Sequence, residues 1–232
     1  MFINELKKTK VFYNLIRIII FIAVFSFFFP FWVKAAMLPN TDCLSCHDAS
    51  MEDSTTTIDS AFIKSIHKDM NCVDCHSAIK EIPHEEKLPA VNCGECHASE
   101  ADIYKQHGRL QYPGGEDIPN CADCHGKHDI LPSTAKESRV NPQNLPGTCG
   151  RCHENLDLIN KHEILYGKAV QVYESSVHGK AALGGVYTAA TCNDCHSAGG
   201  TAHRILSPGN IESPINHFNI PKTCGRCHRN VE

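Results

Sequence analysis

Apolar and polar residues are distributed along this chain in three unlike ways. From Ile18 to Val33 nearly every residue is apolar, with Lys7, Lys8, Lys10 and Arg17 ahead of the run and Val33 and Ala35 placed for signal peptidase behind it. A basic start, an apolar core and a small-residue site make a secretory leader, so residues 1–35 are expected to be a signal peptide cut after Ala35. Counted from Phe12 the run reaches about twenty residues, enough to span a bilayer, and an uncleaved anchor through residues 12–33 is the alternative. Helical periodicity is strong in one further place. Residues 154–177, ENLDLINKHEILYGKAVQVYESSV, set Leu156, Ile159, Ile164, Leu165, Val170 and Val172 between charges with no proline, which predicts a helix that Gly167 could break. AFIKSIHKDM allows one or two further turns, with Phe62 and Ile66 on one face.

Elsewhere the pattern dissolves. Residues 48–60 are rich in Asp, Ser and Thr, and residues 131–146 and 207–221 collect Pro, Asn and Ser, which predicts turns and extended wrapping rather than strands. The expected fold is mainly irregular with short α-helices and little or no β-sheet. The aromatic residues sharpen this. Eight of the ten Phe and the single Trp lie in the leader, leaving Phe62, Phe218 and five Tyr for the remainder. A domain of that length ordinarily builds its core from such side chains, so this one must bury something else.

The cysteines say what. All 14 fall into seven C-x-x-C-H pentapeptides, built on Cys43 and Cys46, Cys72 and Cys75, Cys93 and Cys96, Cys121 and Cys124, Cys149 and Cys152, Cys192 and Cys195, and Cys224 and Cys227. This is the attachment signature of haem c: two thiols bond the porphyrin, and the adjacent His ligates the iron. Those histidines are His47, His76, His97, His125, His153, His196 and His228. A zinc ribbon or a redox dithiol would not require His after every second Cys, and zinc needs the pairs grouped in twos. Seven covalent haems are therefore expected, and the porphyrins would form the core, with folding and cofactor attachment inseparable.

The pentapeptides sit in a repeat. After the lone CLSCH at Cys43–His47, a two-haem phrase occurs three times, with a histidine ahead of the first pentapeptide (His67, His107, His178) and another between the two (His84, His128, His203). The first pentapeptide of each unit carries Asp before its second Cys (Asp74, Asp123, Asp194), and the second carries Gly after its first (Gly94, Gly150, Gly225). SRVNPQNLPGTCGRCH from Ser138 and SPINHFNIPKTCGRCH from Ser213 align without a gap. The expected organisation is a single-haem segment at 36–60, two-haem repeats at 61–100, 101–153 and 173–232, and a helical connector at 154–172.

Repeated units repeat their chemistry, so the six recurrent histidines are expected to be distal iron ligands. His162 and His217 lie outside the repeat, and either could serve the first haem, whose sixth ligand is the least determined. Met51 and Met70 are the competing sixth ligands; Met would raise that haem's potential, whereas paired imidazoles keep it low.

These motifs resemble the doubled C-x-x-C-H superfamily of multihaem cytochromes c, and the resemblance runs over residues 41–228. It implies an exported electron carrier of anaerobic or extracytoplasmic respiration, in the periplasm or at the cell surface, with low-potential bis-histidine haems. Implied partners are other redox proteins: cytochromes, a quinol-oxidising membrane complex or a terminal reductase. A homo-oligomer or filament is compatible with it. Without the leader the chain has 17 Lys plus Arg against 25 Asp plus Glu, which disfavours nucleic acid and favours partners with basic docking patches. No catalytic residue is assigned. The alternative is a multihaem reductase of a small nitrogen or sulfur compound, which would need one open iron, sought first at His47.

Overall fold

The structure is a computed structural model that describes Arg17 and residues 38–47, 60–108, 110–111 and 117–229. Apart from Arg17, the expected leader lies outside the described residues, as does Met51, and among the described residues no helix is long and apolar enough to cross a membrane.

The elements are short and follow the motifs. Helix α1 spans Asn40–His47, and a 3-10 turn covers Ser60–Lys64. Helix α2 is Cys72–Cys75, a second 3-10 turn is Cys93–Glu95, and α3 is Ala98–Ile103. Strands β1 (Gln106–Gly108) and β2 (Leu110–Gln111) precede α4 (Cys121–His125) and α5 (Leu145–His153). Then come α6 (Leu156–Lys161), α7 (Ala169–Ser175), α8 (Val177–Leu183), α9 (Cys192–His196), strand β3 (Ile205–Leu206) and α10 (Ile220–Cys224). The strands form one small sheet in the order β2-β1-β3, with β1 antiparallel to β2 and parallel to β3. The fold is thus helical and irregular with little sheet.

The helix expected over 154–177 is broken. Asn155 caps α6 by accepting from the Asp157 and Leu158 amides, and α6 closes at His162; Glu163 follows with φ at 50°. The chain restarts as α7, then turns at Ser176, which caps α8 by accepting from the Gly179 amide. A Cβ on Gly179 would run into the Tyr173 carbonyl, so only glycine lets α8 fold back this tightly onto α7. The hydrophobic pattern could not show these caps, because Ser and Asn stop a helix through local hydrogen bonds.

Burial is sparse and largely polar. The buried apolar side chains include Leu145, Val170, Ala182, Ala198 and Leu206, while Leu165 is 81 % and Val177 80 % exposed. Buried beside them are Ser138, Asn141, Ser213 and Asn216. These polar residues staple the proline-rich loops in the same way in the last two repeats, save that Asn216 makes one of the two bonds that Asn141 makes. Ser138 Oγ donates to the Leu131 carbonyl, Asn141 Nδ2 to those of Ser133 and Ala135, Asn144 Nδ2 to those of Lys136 and Ser138, and Thr148 Oγ1 to that of Arg139. In the third unit Ser213, Asn216, Asn219 and Thr223 make the matching bonds to Leu206, Pro208, Ile211 and Ser213, and Pro214. A loop with no ladder of its own thus has its buried carbonyls satisfied by side chains. That is the reason for the gapless alignment of these stretches.

Replacing Asn141 by Ala strands those carbonyls without partners. Thermal unfolding of the haem-loaded protein, followed by circular dichroism, should show a loss of about 2–3 kcal/mol, or about 5–10 °C. An unchanged melting temperature would mean that the staple is incidental.

Candidate metal centres

Each unit's first pentapeptide is folded by its own residues. The residue before the first Cys and the Asp before the second form a capping box. The Asp74 carboxylate accepts from the Asn71 amide, Asp123 from Asn120 and Asp194 from Thr191, each at 2.7 Å. Each box starts a single helical turn that presents both cysteines, and the recurring Asp is explained by this cap rather than by contact with iron. In the second and third units the two pentapeptides are clamped together. Arg151 donates to the Asp123 carbonyl and Arg226 to that of Asp194, while the first unit has Glu95 in that place.

A second set of bonds holds each pentapeptide to the segment ahead of it. The Tyr104 hydroxyl donates to the Pro119 carbonyl, two residues before Cys121, and Tyr173 donates at 3.0 Å to Ala190, two residues before Cys192. Burial pushes the phenol of Tyr104 above its ordinary range, which keeps it a donor. In the first unit Asn40 takes this part, donating to the Met70 carbonyl at 3.2 Å and accepting from the Cys72 amide at 2.8 Å. Helix α1 is thereby tied to the first repeat.

The pentapeptides neighbour one another in sequence order. Thiols of successive pentapeptides lie side by side, Cys43 with Cys72, Cys93 with Cys121 and Cys149 with Cys192. Cys75 feels the charges of Cys93 and Cys96, Cys124 that of Cys152, and Cys195 that of Cys224. All seven motifs are linked in this way.

The histidines come together in pairs, each joining one motif histidine to one of the recurrent six. Ring centroids are 5.9 Å apart for His47 and His84, 6.0 Å for His67 and His97, and 6.1 Å for His76 and His128. They are 6.1 Å apart for His107 and His153, 6.0 Å for His125 and His203, and 5.8 Å for His178 and His228. A nitrogen about 2 Å from a metal puts its ring centre about 3 Å from that metal, so two imidazoles on opposite sides of one ion stand about 6 Å apart. The donor set and its spacing therefore fit iron held between two imidazoles. Burial lowers the pKa of His76, His125, His153 and His196, and burial with His153 and His196 nearby pushes His107 down to about 4. A depressed pKa favours the neutral ring, the form that binds a metal.

Two expectations about the unpaired histidines meet a different geometry. His84, not His162 or His217, stands beside His47. His162 Nε2 lies 2.9 Å from the Asp117 carboxylate, which Lys161 also reaches at 2.7 Å. His217 packs on Phe218 with ring centroids 3.7 Å apart. Among the described residues, the motif histidine with no partner ring at this spacing is His196. The sequence held the signal for this: the extra pentapeptide ahead of the first repeat puts each middle histidine one motif out of phase.

No family model and no solved structure matches this chain. Among curated proteins it is similar to one named C-type polyheme cytochrome OmcB from Geobacter sulfurreducens, in strain DL-1 / KN400 and in strain ATCC 51573 / DSM 12127 / PCA. Each is 28 % identical to it over 167 residues, which is 63 % of this chain but 22 % of the relative, so the chain spans about a fifth of the length of these relatives. With all its cysteines in C-x-x-C-H pentapeptides, the chain is a distant homologue of a polyhaem c-type cytochrome.

Proposed function

We propose that this chain is a heptahaem c-type cytochrome that carries electrons along a row of mostly bis-histidine, low-potential haems outside the cytoplasm, in anaerobic or extracytoplasmic respiration. The observation that carries the reading is the set of six imidazole pairs at about 6 Å, each drawn from distant parts of the sequence. The relatives' printed name supports it.

In this reading the 14 cysteines bond the porphyrins and the seven motif histidines supply one axial nitrogen each. His67, His84, His107, His128, His178 and His203 supply the other for six irons. The capping boxes, arginine clamps and tyrosine bonds orient these ligands. Bound haem supplies reversible one-electron chemistry, and the polypeptide sets its potential through ligand type, burial and nearby charge. Motif neighbours that follow the sequence favour a single file of redox centres from the α1 segment to α10. The repeat boundaries at 61–100, 101–153 and 173–232, with the 36–60 segment ahead and the 154–172 connector between, are part of this proposal. So are export by residues 1–35 and redox partners that dock through basic patches on an acidic surface.

Haem stoichiometry tests the reading. A pyridine haemochrome assay with intact mass should give seven haems per chain; fewer would break the assignment. The pairing has its own test in low-temperature electron paramagnetic resonance of the oxidised protein. His84→Ala and His203→Ala should each convert one low-spin iron to high spin, whereas His162→Ala and His217→Ala should leave the spectrum as it was. Gly179→Ala, which drives α8 off α7, should release His178 and open the iron of His228. Loss of low-spin signal in the His162 or His217 variant would contradict the pairing.

A further inference from the structure

The six ring pairs obey one rule of connectivity. The first recurrent histidine of each unit faces the second motif of its own unit: His67 with His97, His107 with His153, His178 with His228. The middle histidine of each unit instead faces the first-type motif one unit back. His128 reaches His76, His203 reaches His125, and His84 reaches His47 of the lone pentapeptide, which stands where a preceding unit's first motif would be.

Backbone bonds enforce this reach. The Ile66 amide, next to His67, donates at 2.9 Å to the carbonyl of Ile130, two residues after His128. One unit on, His107 in β1 pairs in parallel with Ile205 in β3, two residues after His203. In both cases the strip holding one unit's leading histidine carries the middle histidine of the next unit on its edge. Each junction between units is therefore also a shared ligand set.

Applied to the last unit, the rule leaves a vacancy of definite chemistry. The motif of α9, Cys192–His196, is of the first type, so its second imidazole would be the middle histidine of a further unit. The two remaining histidines are engaged elsewhere, His162 with Asp117 and His217 with Phe218.

We propose that the haem of Cys192, Cys195 and His196 is a docking point for a neutral imidazole from outside residues 38–229, presented by a further two-haem unit of the same kind. This rests on the haem assignment made above. The proposal moves the open iron from the first motif to the sixth, and it makes the shared bis-histidine iron the joint by which a further unit is added to the row.

The test uses the haem-loaded protein, oxidised and dilute enough to sediment as a monomer. One iron in seven should be high spin. Free imidazole should turn it low spin, while His203→Ala should double the high-spin signal and serve as its calibration. When a second copy is added in which Cys43→Ala and Cys46→Ala remove the first haem and so leave His84 without an iron, the signal should fall as the complex forms.

Seven low-spin irons in the dilute monomer would overturn the proposal. In that case a high-spin iron newly seen in His162→Ala, His217→Ala or Met51→Ala would name the internal ligand. Conversion by free imidazole but by no two-haem unit would also overturn it and assign the position to small nitrogen ligands. Fewer than seven haems, or no low-spin pairs at all, would instead remove the haem assignment itself.

Discussion

Six pairs of imidazoles from distant parts of the chain are held about 6 Å apart, and this one constraint accounts for most of what surrounds it. The fold meets it without a conventional core. Its buried apolar side chains are few and small, Ala182 and Ala198 among them, while Leu165 and Val177 face outward. Hydrophobic burial among protein atoms alone is a weak source of order here, so the ligand positions are set by hydrogen bonds with fixed geometry. The capping boxes of Asp74, Asp123 and Asp194 form the motif turns. The bonds of Tyr104 and Tyr173 fix those turns to the strip carrying the leading histidine. Buried Asn141 and Asn216 shape the loop that leads into the second motif.

The repeats are linked by chemistry as well as by packing. A unit that supplied both ligands for both of its irons would be self-contained, and the row would be held together by surface contact. Here the middle histidine leaves its own unit, so an iron at each junction would bind two units at once. In the proposed reading this would couple electronic continuity to mechanical continuity: a junction that came apart would open an iron. It would also give the chain an ordered file of centres, because neighbouring motifs such as Cys43 with Cys72 and Cys149 with Cys192 lie close together.

Much of this was legible in the residues. The pentapeptides, the three-unit period and the six recurrent histidines can be read from spacing, and the Pro-, Asn- and Ser-rich stretches between motifs pointed to a mainly irregular chain with short helices and little sheet. The helix over 154–177 is divided at 162–168, the stretch that holds Glu163 with φ at 50° and Gly167, and it turns again at the Ser176 cap, which apolar periodicity does not register. The Ser and Asn of the proline-rich loops read as turn formers, and Asn141 and Ser213 are in fact fully buried; composition cannot distinguish an amide that faces water from one that satisfies buried carbonyls. Spacing alone also left open which histidine meets which motif, since the choice depends on how one unit lies on the next. His47 consequently looked like the site short of a ligand, whereas the His84 ring stands 5.9 Å from it and His196 has no partner ring at that spacing among the described residues.

An experimental density map of the haem-loaded protein tests the shared-ligand row most directly. The account predicts His84 and His47 on one iron, His128 and His76 on another, and His203 and His125 on a third, with successive haems following the sequence from Cys43 to Cys227. A map in which His128 and His203 instead ligate irons held by motifs of their own units would contradict it, and the row would be a string of independent two-haem modules.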